Sequence, residues 1–339
     1  MKNIKLLDCT LRDGGSLNNG MFGYSSILNI VQFLNDANID IIETGFIDNN
    51  ISENQNSSIN PNTKFFNNLT KKITNKKCKA VAMIDFSKYD RTKFNIEKKQ
   101  ELDGIRIMFK KNQITDVLDF CYKLKDLDYS IALNPVSITT YKKEELINLL
   151  KQANILSPYA VYIVDTYGLL DKQETLEYFN LFKTYLNENI QIGYHSHNNR
   201  QLSFANSIEL INNSEARKLV IDTALLGMGK RAGNTPTELM ADYLNSYGKR
   251  NYDLNKITQI INSDILPLKE KYEWGYSLIH YIAAINKCHS DYVTYLFKEK
   301  KLSIEEINTI LCKIEEEKKL SFDKNYTDIL VDNYKKVIK

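Results

Sequence analysis

Two histidines one residue apart, in Gly193-Tyr194-His195-Ser196-His197-Asn198-Asn199, are the sharpest chemical signal in this chain. In an extended backbone, residues two apart point to the same side, so both imidazoles can reach one point, as a pair of metal ligands would. Only four histidines occur in all, so this pair holds half of them. Two hydrogen-bonded histidines at a strand end would show the same spacing; imidazole's standing as the commonest metal ligand favours a metal. Near the N-terminus, Asp8-Cys9-Thr10-Leu11-Arg12-Asp13-Gly14-Gly15 places an Arg–Asp pair before two glycines, where a backbone can turn sharply. Alone, that motif reads equally well as a salt link and a turn. The stretch Leu226-Gly-Met-Gly-Lys-Arg-Ala-Gly-Asn-Thr-Pro-Thr-Glu238 brings three glycines and the cations Lys230 and Arg231 to a helix start, a composition suited to phosphate. It is not a Walker loop, because no Ser or Thr follows Gly229-Lys230. Thr235 and Glu238 also fit a capping box.

These groups need elements to hold them. Short apolar, β-branched runs recur at Ile4–Asp8, Ile39–Thr44, Lys79–Ile84, Gly104–Phe109, Ser130–Asn134, Ala160–Asp165, Gln191–Tyr194 and Lys218–Thr223. Helical spacing follows at Ser25–Ala37, Lys64–Thr74, Gln113–Leu127, Lys143–Ala153, Lys172–Leu186, Gln201–Asn212 and Thr235–Tyr247. Strands apolar on both faces and alternating with helices predict parallel strands under a helical layer. Eight units within about 250 residues predict an α/β fold, a (β/α)8 TIM barrel; an open doubly wound sheet is the competing architecture. Beyond residue 250, Lys256–Ile265, Ser277–Asn286, Ser290–Lys298, Ile304–Lys318 and Thr327–Val337 read as amphipathic helices without strands. The division expected is a catalytic barrel over 1–250 and a C-terminal helical extension over 251–339, with no flexible linker between them. The Asn-rich Asp48–Asn62 is the one long irregular loop, placed to lie over the barrel mouth.

Composition narrows the function. A net charge of +3 over 339 residues, from a mixed surface, supports neither a nucleic-acid nor a membrane partner. Five scattered cysteines without a CxxC pair argue against a disulfide framework and a zinc knuckle. No apolar run approaches a membrane span and no signal region fits the N-terminus, so a cytoplasmic protein is expected.

In such a barrel the chemistry sits at the C-terminal ends of the strands. Polar groups fall there almost throughout: Glu43-Thr44-Gly45-Phe46 after strand two, Asp85 after strand three, Asn134 after strand five, and Asp165-Thr166-Tyr167-Gly168 after strand six, with Arg106 inside strand four. A structural protein has no reason to maintain such a rim.

With Asp8-Cys-Thr-Leu-Arg12-Asp13-Gly-Gly, Glu43-Thr-Gly-Phe, His195-Ser-His197-Asn-Asn and Gly229-Lys-Arg-Ala-Gly-Asn234-Thr-Pro-Thr-Glu in order, the chain resembles the DRE-TIM metallolyase superfamily over roughly its first 240 residues. That group includes the hydroxyoxovalerate aldolases, hydroxymethylglutaryl-CoA lyases, isopropylmalate and homocitrate synthases and a carboxyltransferase domain; the aldolase branch is the nearest. The resemblance implies that Asp13, His195 and His197 bind a divalent metal, with Asn234 an additional ligand. It also implies that Arg12 stabilises an enolate oxygen and that Glu43 holds the site together. A mixed N/O donor set suits Mn2+ or Mg2+, with Co2+ or Zn2+ as alternatives. The metal would polarise a 2-oxo acid and store carbanion character as an enolate.

The chain departs from its relatives at the proton-transfer group. Ser16 stands where the aldolases have a histidine three positions beyond the metal-binding aspartate, and Gly14-Gly15-Ser16 replaces the synthases' Gly-Glu-Gln. His289 and Tyr276 in the extension are the remaining candidates, with Tyr24 and Tyr167 behind them; His289 could equally be a satisfied surface residue. Asn134, Thr166, Lys230 and Arg231 are candidate substrate contacts. The leading expectation is an aldolase-type lyase of a pyruvate-like 2-oxo acid and an aldehyde, phosphorylated or CoA-linked, in a homo-oligomer. The alternatives are a Claisen-type synthase joining an acyl-CoA to a 2-oxo acid, and a barrel that binds metal and ligand without catalysis.

Overall fold

The computed structural model describes residues 3–337. Its sheet contains β1 (Ile4–Asp8), β2 (Ile41–Ile47), a two-residue β3 (Ile59–Asn60), β4 (Lys79–Asp85), β5 (Gly104–Phe109), β6 (Ser130–Pro135), β7 (Ala160–Asp165), β8 (Gln191–Ser196) and β9 (Leu219–Thr223). All pairings are parallel, and β1 pairs with both β9 and β2, which closes eight strands into a barrel and excludes the open sheet. The strand runs form because their β-branched side chains are buried on both faces: β7 and β9 are buried at every position.

Around the barrel lie α1 (Tyr24–Asp36), α2 (Thr63–Lys71), α3 (Ile114–Asp126), α4 (Lys143–Leu156), α5 (Lys172–Tyr185), α6 (Ser203–Asn212) and α7 (Thr237–Gly248). The start of α5 shows how locally these ends are set: Asp171 accepts from the Glu174 amide while Glu174 accepts from the Asp171 amide. The capping box expected at Thr235 and Glu238 does not form. The chain passes Pro236 in an extended conformation, so α7 starts at Thr237, and Glu238 instead accepts from the Leu226 amide at 3.0 Å. The Asp48–Asn62 segment is also more ordered than expected. Its β3 pairs with β2, and the Ser58 hydroxyl donates to the Leu11 carbonyl at 2.7 Å, pinning it to the β1–α1 loop.

The extension runs through α8 (Leu254–Ile260), a π turn (Ile261–Ile265), α9 (Leu266–Lys269), α10 (Leu278–Ile285), α11 (Ser290–Lys298), α12 (Ile304–Leu311) and α13 (Lys324–Val337). The single helix expected over Ile304–Lys318 stops at Leu311, and only a short 3-10 turn, Glu316–Lys318, follows. The barrel's apolar core continues through Ile257, Ile261, Ile265 and Trp274, whereas a second core gathers Ile282, Tyr292, Leu296, Ile307 and Val331. Tyr167, Leu169 and Ala284 join the two parts.

Inside the barrel, one position shows what close approach demands. A Cβ on Gly193 would lie 2.3 Å from the Tyr162 ring, so only glycine leaves room for that ring in the interior. Tyr162 in turn stacks on the Arg106 guanidinium at 4.3 Å. The middle of the barrel is therefore polar and charged, and it lies beneath the strand ends where the site is built.

Candidate metal centre and active site

After β1 the chain turns tightly, with the Arg12 and Asp13 amides both donating to the Cys9 carbonyl, at 3.1 and 2.8 Å. His195 lies within β8, paired with Val164, and His197 follows just past the strand, its amide on the Asp165 carbonyl at 3.2 Å. One ligand atom each from Asp13, His195 and His197 falls within 4.8 Å of the other two, and all three residues are buried. Side chains far apart in sequence thus meet at one point.

The tautomers follow from the partners. His195 Nδ1 faces the Asp222 carboxylate at 3.1 Å, and His197 Nδ1 faces the Gly233 carbonyl at 3.1 Å. Both partners only accept, which assigns the proton to each Nδ1 and leaves both Nε2 lone pairs free, as metal-ligating histidines require. Asn234 donates through Nδ2 to Asp13 Oδ2 at 2.7 Å and to the Met228 carbonyl at 3.0 Å, while its Oδ1 is buried without a hydrogen-bond partner. A buried amide oxygen without a donor needs an explanation, and a cation supplies one. Two imidazole nitrogens, a carboxylate and an amide oxygen fit a divalent metal. Space at this point is tight: a Cβ on Gly229 would lie 2.1 Å from Asn234 Nδ2 and 2.6 Å from Asp13 Oδ2.

Burial by itself pushes the Asp13 carboxyl up, but Arg12 and then the two histidines outweigh it and hold the group well below the usual carboxylate range. Burial lowers His197 to about 3, so its imidazole is neutral and available as a ligand. Arg12 contacts Asp13 Oδ1 through Nη1 at 2.8 Å and Glu43 Oε2 through Nε at 2.6 Å. Burial opposes its charge, yet Glu43 and Asp13 keep it protonated. Arg12 is therefore a fixed cation at the edge of the cluster.

The structure brings the other candidates together only in part. Asn134 is buried at the end of β6, its Oδ1 without a partner. Thr166 Oγ1 accepts from the Ser137 amide at 2.7 Å, which commits it to the β6–α4 loop. The Lys230 amide donates to Asp13 Oδ2 at 3.4 Å. Arg231 turns toward the extension, 3.2 Å from His289 Nε2 and 3.3 Å from Asp291. His289 caps α11 by accepting the Asp291 amide at Nδ1, so its two contacts compete for one lone pair. Burial and Arg231 lower it to about 4. Its ring packs edge-on against Tyr167, whose hydroxyl donates to the Leu320 carbonyl at 3.0 Å. Tyr24 bonds Lys72 at 2.6 Å, away from the cluster. Tyr276 is 59% exposed on the extension, and among the described residues no hydrogen bond ties it to the cluster.

Asp222 and His280 were missed by the sequence reading. Asp222 shares the inward face of β9 with Val220, two positions apart, and a carboxylate on that face is the signal that was available. His280, in α10, has a buried Nδ1 without a partner, and burial and Arg231 lower it to about 4.

The family model for HMGL-like proteins matches residues 3–263. A 4-hydroxy-2-oxovalerate aldolase of Chloroflexus aurantiacus is 28% identical over 260 residues, covering 73% of this chain and 71% of that protein. An oxaloacetate decarboxylase of Mycobacterium tuberculosis is 24% identical over 263 residues, covering 77% and 76%. Among solved structures, the N-terminal domain of a protein described as an aldolase, from Bacteroides vulgatus, superposes with a TM-score of 0.75 at 24% identity, over 89% of this chain and 98% of that one. The chain belongs to the HMGL-like family, the DRE-TIM group of metal-dependent lyases.

Proposed function

We propose that this lyase makes and breaks the carbon–carbon bond between a pyruvate-like 2-oxo acid and an aldehyde. The observation that carries the reading is the convergence of Asp13, His195 and His197 beside a guanidinium already locked in place. A divalent cation held by these three residues and Asn234, Mn2+ or Mg2+ in the first instance, would supply Lewis acidity to the oxo acid. Arg12 uses Nε on Glu43 and Nη1 on Asp13, which leaves Nη2 free to face the developing enolate oxygen. Asn134, with its unpartnered Oδ1, is suited to accept from a substrate hydroxyl. In the cleavage direction, His289 takes the hydroxyl proton at Nε2 once that nitrogen leaves Arg231, as the carbon–carbon electron pair moves into the enolate.

The two curated relatives named above support this half-reaction, because an aldol cleavage and a decarboxylation of oxaloacetate leave the same enolate of pyruvate. The test is proton exchange. Mn2+-loaded protein and pyruvate in D2O should lose the methyl proton signal by NMR without acetyl-CoA. Thioester consumption with acetyl-CoA would instead mark a Claisen synthase. No exchange with any of a panel of 2-oxo acids would remove the enolate reading.

A further inference from the structure

Arg106 takes no part in the chemistry above, yet it is among the most buried side chains of the molecule. It projects from β5 into the barrel, where Nη2 bonds Asp222 Oδ2 at 2.5 Å. Nη1 approaches Glu43 Oε1 at 2.9 Å, an ion pair without hydrogen-bond alignment. Each of these carboxylates also holds a working side chain. The other oxygen of Glu43 grips Arg12 Nε, and the same oxygen of Asp222 faces His195 Nδ1. The contacts Asp13–Arg12–Glu43–Arg106–Asp222–His195 thus begin and end on residues of the metal cluster.

The geometry points to Arg106 as a positioning residue: one buried guanidinium that sets both the placement of Arg12 and the tautomer and ring orientation of His195. This rests on the lyase reading above. Asp222 Oδ2 can accept from His195 Nδ1 only while it is correctly aimed, and Arg106, bonded to that same oxygen, is the group that aims it. The planar fork matters, because two nitrogens of one rigid plane meet two carboxylates at once, which an ammonium on a flexible stem does not reproduce. Arg106 in turn is steadied by the Tyr162 ring at 4.3 Å, in the space that Gly193 leaves open. A plain structural ion pair would need none of this connection to the ligands.

Arg106→Gln separates the two roles by sign. Loss of a buried positive charge would, by charge alone, leave the cluster more negative and tighten Mn2+ binding. Loss of positioning should weaken it by about 10- to 100-fold, the usual effect of removing a partner behind a metal ligand. Mn2+ affinity is measured by calorimetry on protein whose circular dichroism shows a native fold. The 15N signals of His195, identified through a His195→Gln variant, should change in parallel from a single Nδ1–H tautomer to a mixture. Unchanged or tighter Mn2+ binding with an unchanged tautomer would overturn the assignment. If Arg106→Gln does not fold, Arg106→Lys decides by the same two readings, since it keeps the charge and loses the fork. A wild-type protein that binds no Mn2+ would sink the lyase reading, and this inference with it. Tight wild-type binding with unaffected variants would sink the inference alone.

Discussion

Gly229→Ala is the most searching single change available, because it adds one methyl group where the Asp13 and Asn234 side chains leave no room. The new Cβ would lie 2.1 Å from Asn234 Nδ2 and 2.6 Å from Asp13 Oδ2, against an ordinary contact of about 3.4 Å or more. Asn234 would have to retreat by more than 1 Å, roughly, which no hydrogen bond of 2.7 Å survives. The bond to ionised Asp13 contributes about 1.5–3 kcal/mol, and the bond to the Met228 carbonyl about 0.5–1.5 kcal/mol. Losing both should cost about 2–4.5 kcal/mol. With an unfolding entropy of about 2 cal/mol/K per residue, a chain of 339 residues should lose about 3–6 °C in Tm without metal. Mn2+ affinity should fall by at least tenfold, because Asn234 Oδ1 and Asp13 both leave their places. Differential scanning calorimetry and metal titration read the two effects. A Gly229→Ala protein with wild-type Tm and wild-type Mn2+ affinity would refute the placement of Asn234 and of Asp13 alike.

Two further changes probe the buried charges. Arg12→Lys should still bind Mn2+ and lose about 100-fold or more in pyruvate exchange, since an ammonium does not reproduce the guanidinium fork that contacts Glu43 and Asp13; exchange at the wild-type rate would remove Arg12 from the mechanism. Asp8, the last residue of β1, is raised by burial to about 6, despite hydrogen bonds from Thr237 and Thr10. A carboxyl whose folded pKa lies above its unfolded value contributes stability at low pH that is lost as pH rises through about 6. Asp8→Asn should therefore be more stable than wild type at pH 8, by up to about 3 kcal/mol, and should lose that advantage below about pH 4. Equal stability at pH 8 in denaturant titrations would contradict it.

The barrel was legible because its signal is repeated and one-dimensional. Runs such as Ile4–Asp8 and Ala160–Asp165 are buried on both faces, so each announces itself without knowledge of its neighbours. The His195/His197 pair was legible for the same reason, since period-2 spacing along an extended run predicts a shared direction. Other features depended on partners distant in the chain. Asp222 reads as one acidic residue in an apolar strand until β8 is placed beside β9. The two-residue β3 exists only because β2 offers it an edge. Pro236 overrode a local capping pattern at Thr235 and Glu238, because the tie to Leu226 better satisfied the loop. Tyr276 was chosen for its chemistry, and it lies in the loop before α10, whose placement the amphipathic pattern could not supply.

The buried charges themselves argue for the substrate class. Arg12 and Arg106 face Asp13, Glu43 and Asp222, all five buried, so these five groups together carry one net negative charge. Charges removed from water are costly unless matched, and this set is left one positive charge short. A divalent cation overshoots by one, and the carboxylate of a 2-oxo acid then brings the centre to neutrality. On the proposed reading, a ketone without that carboxylate would leave a buried positive charge behind. Under the proposed function, the arrangement would favour a mono-anionic 2-oxo acid over a neutral carbonyl compound before any contact with the rest of the substrate is made.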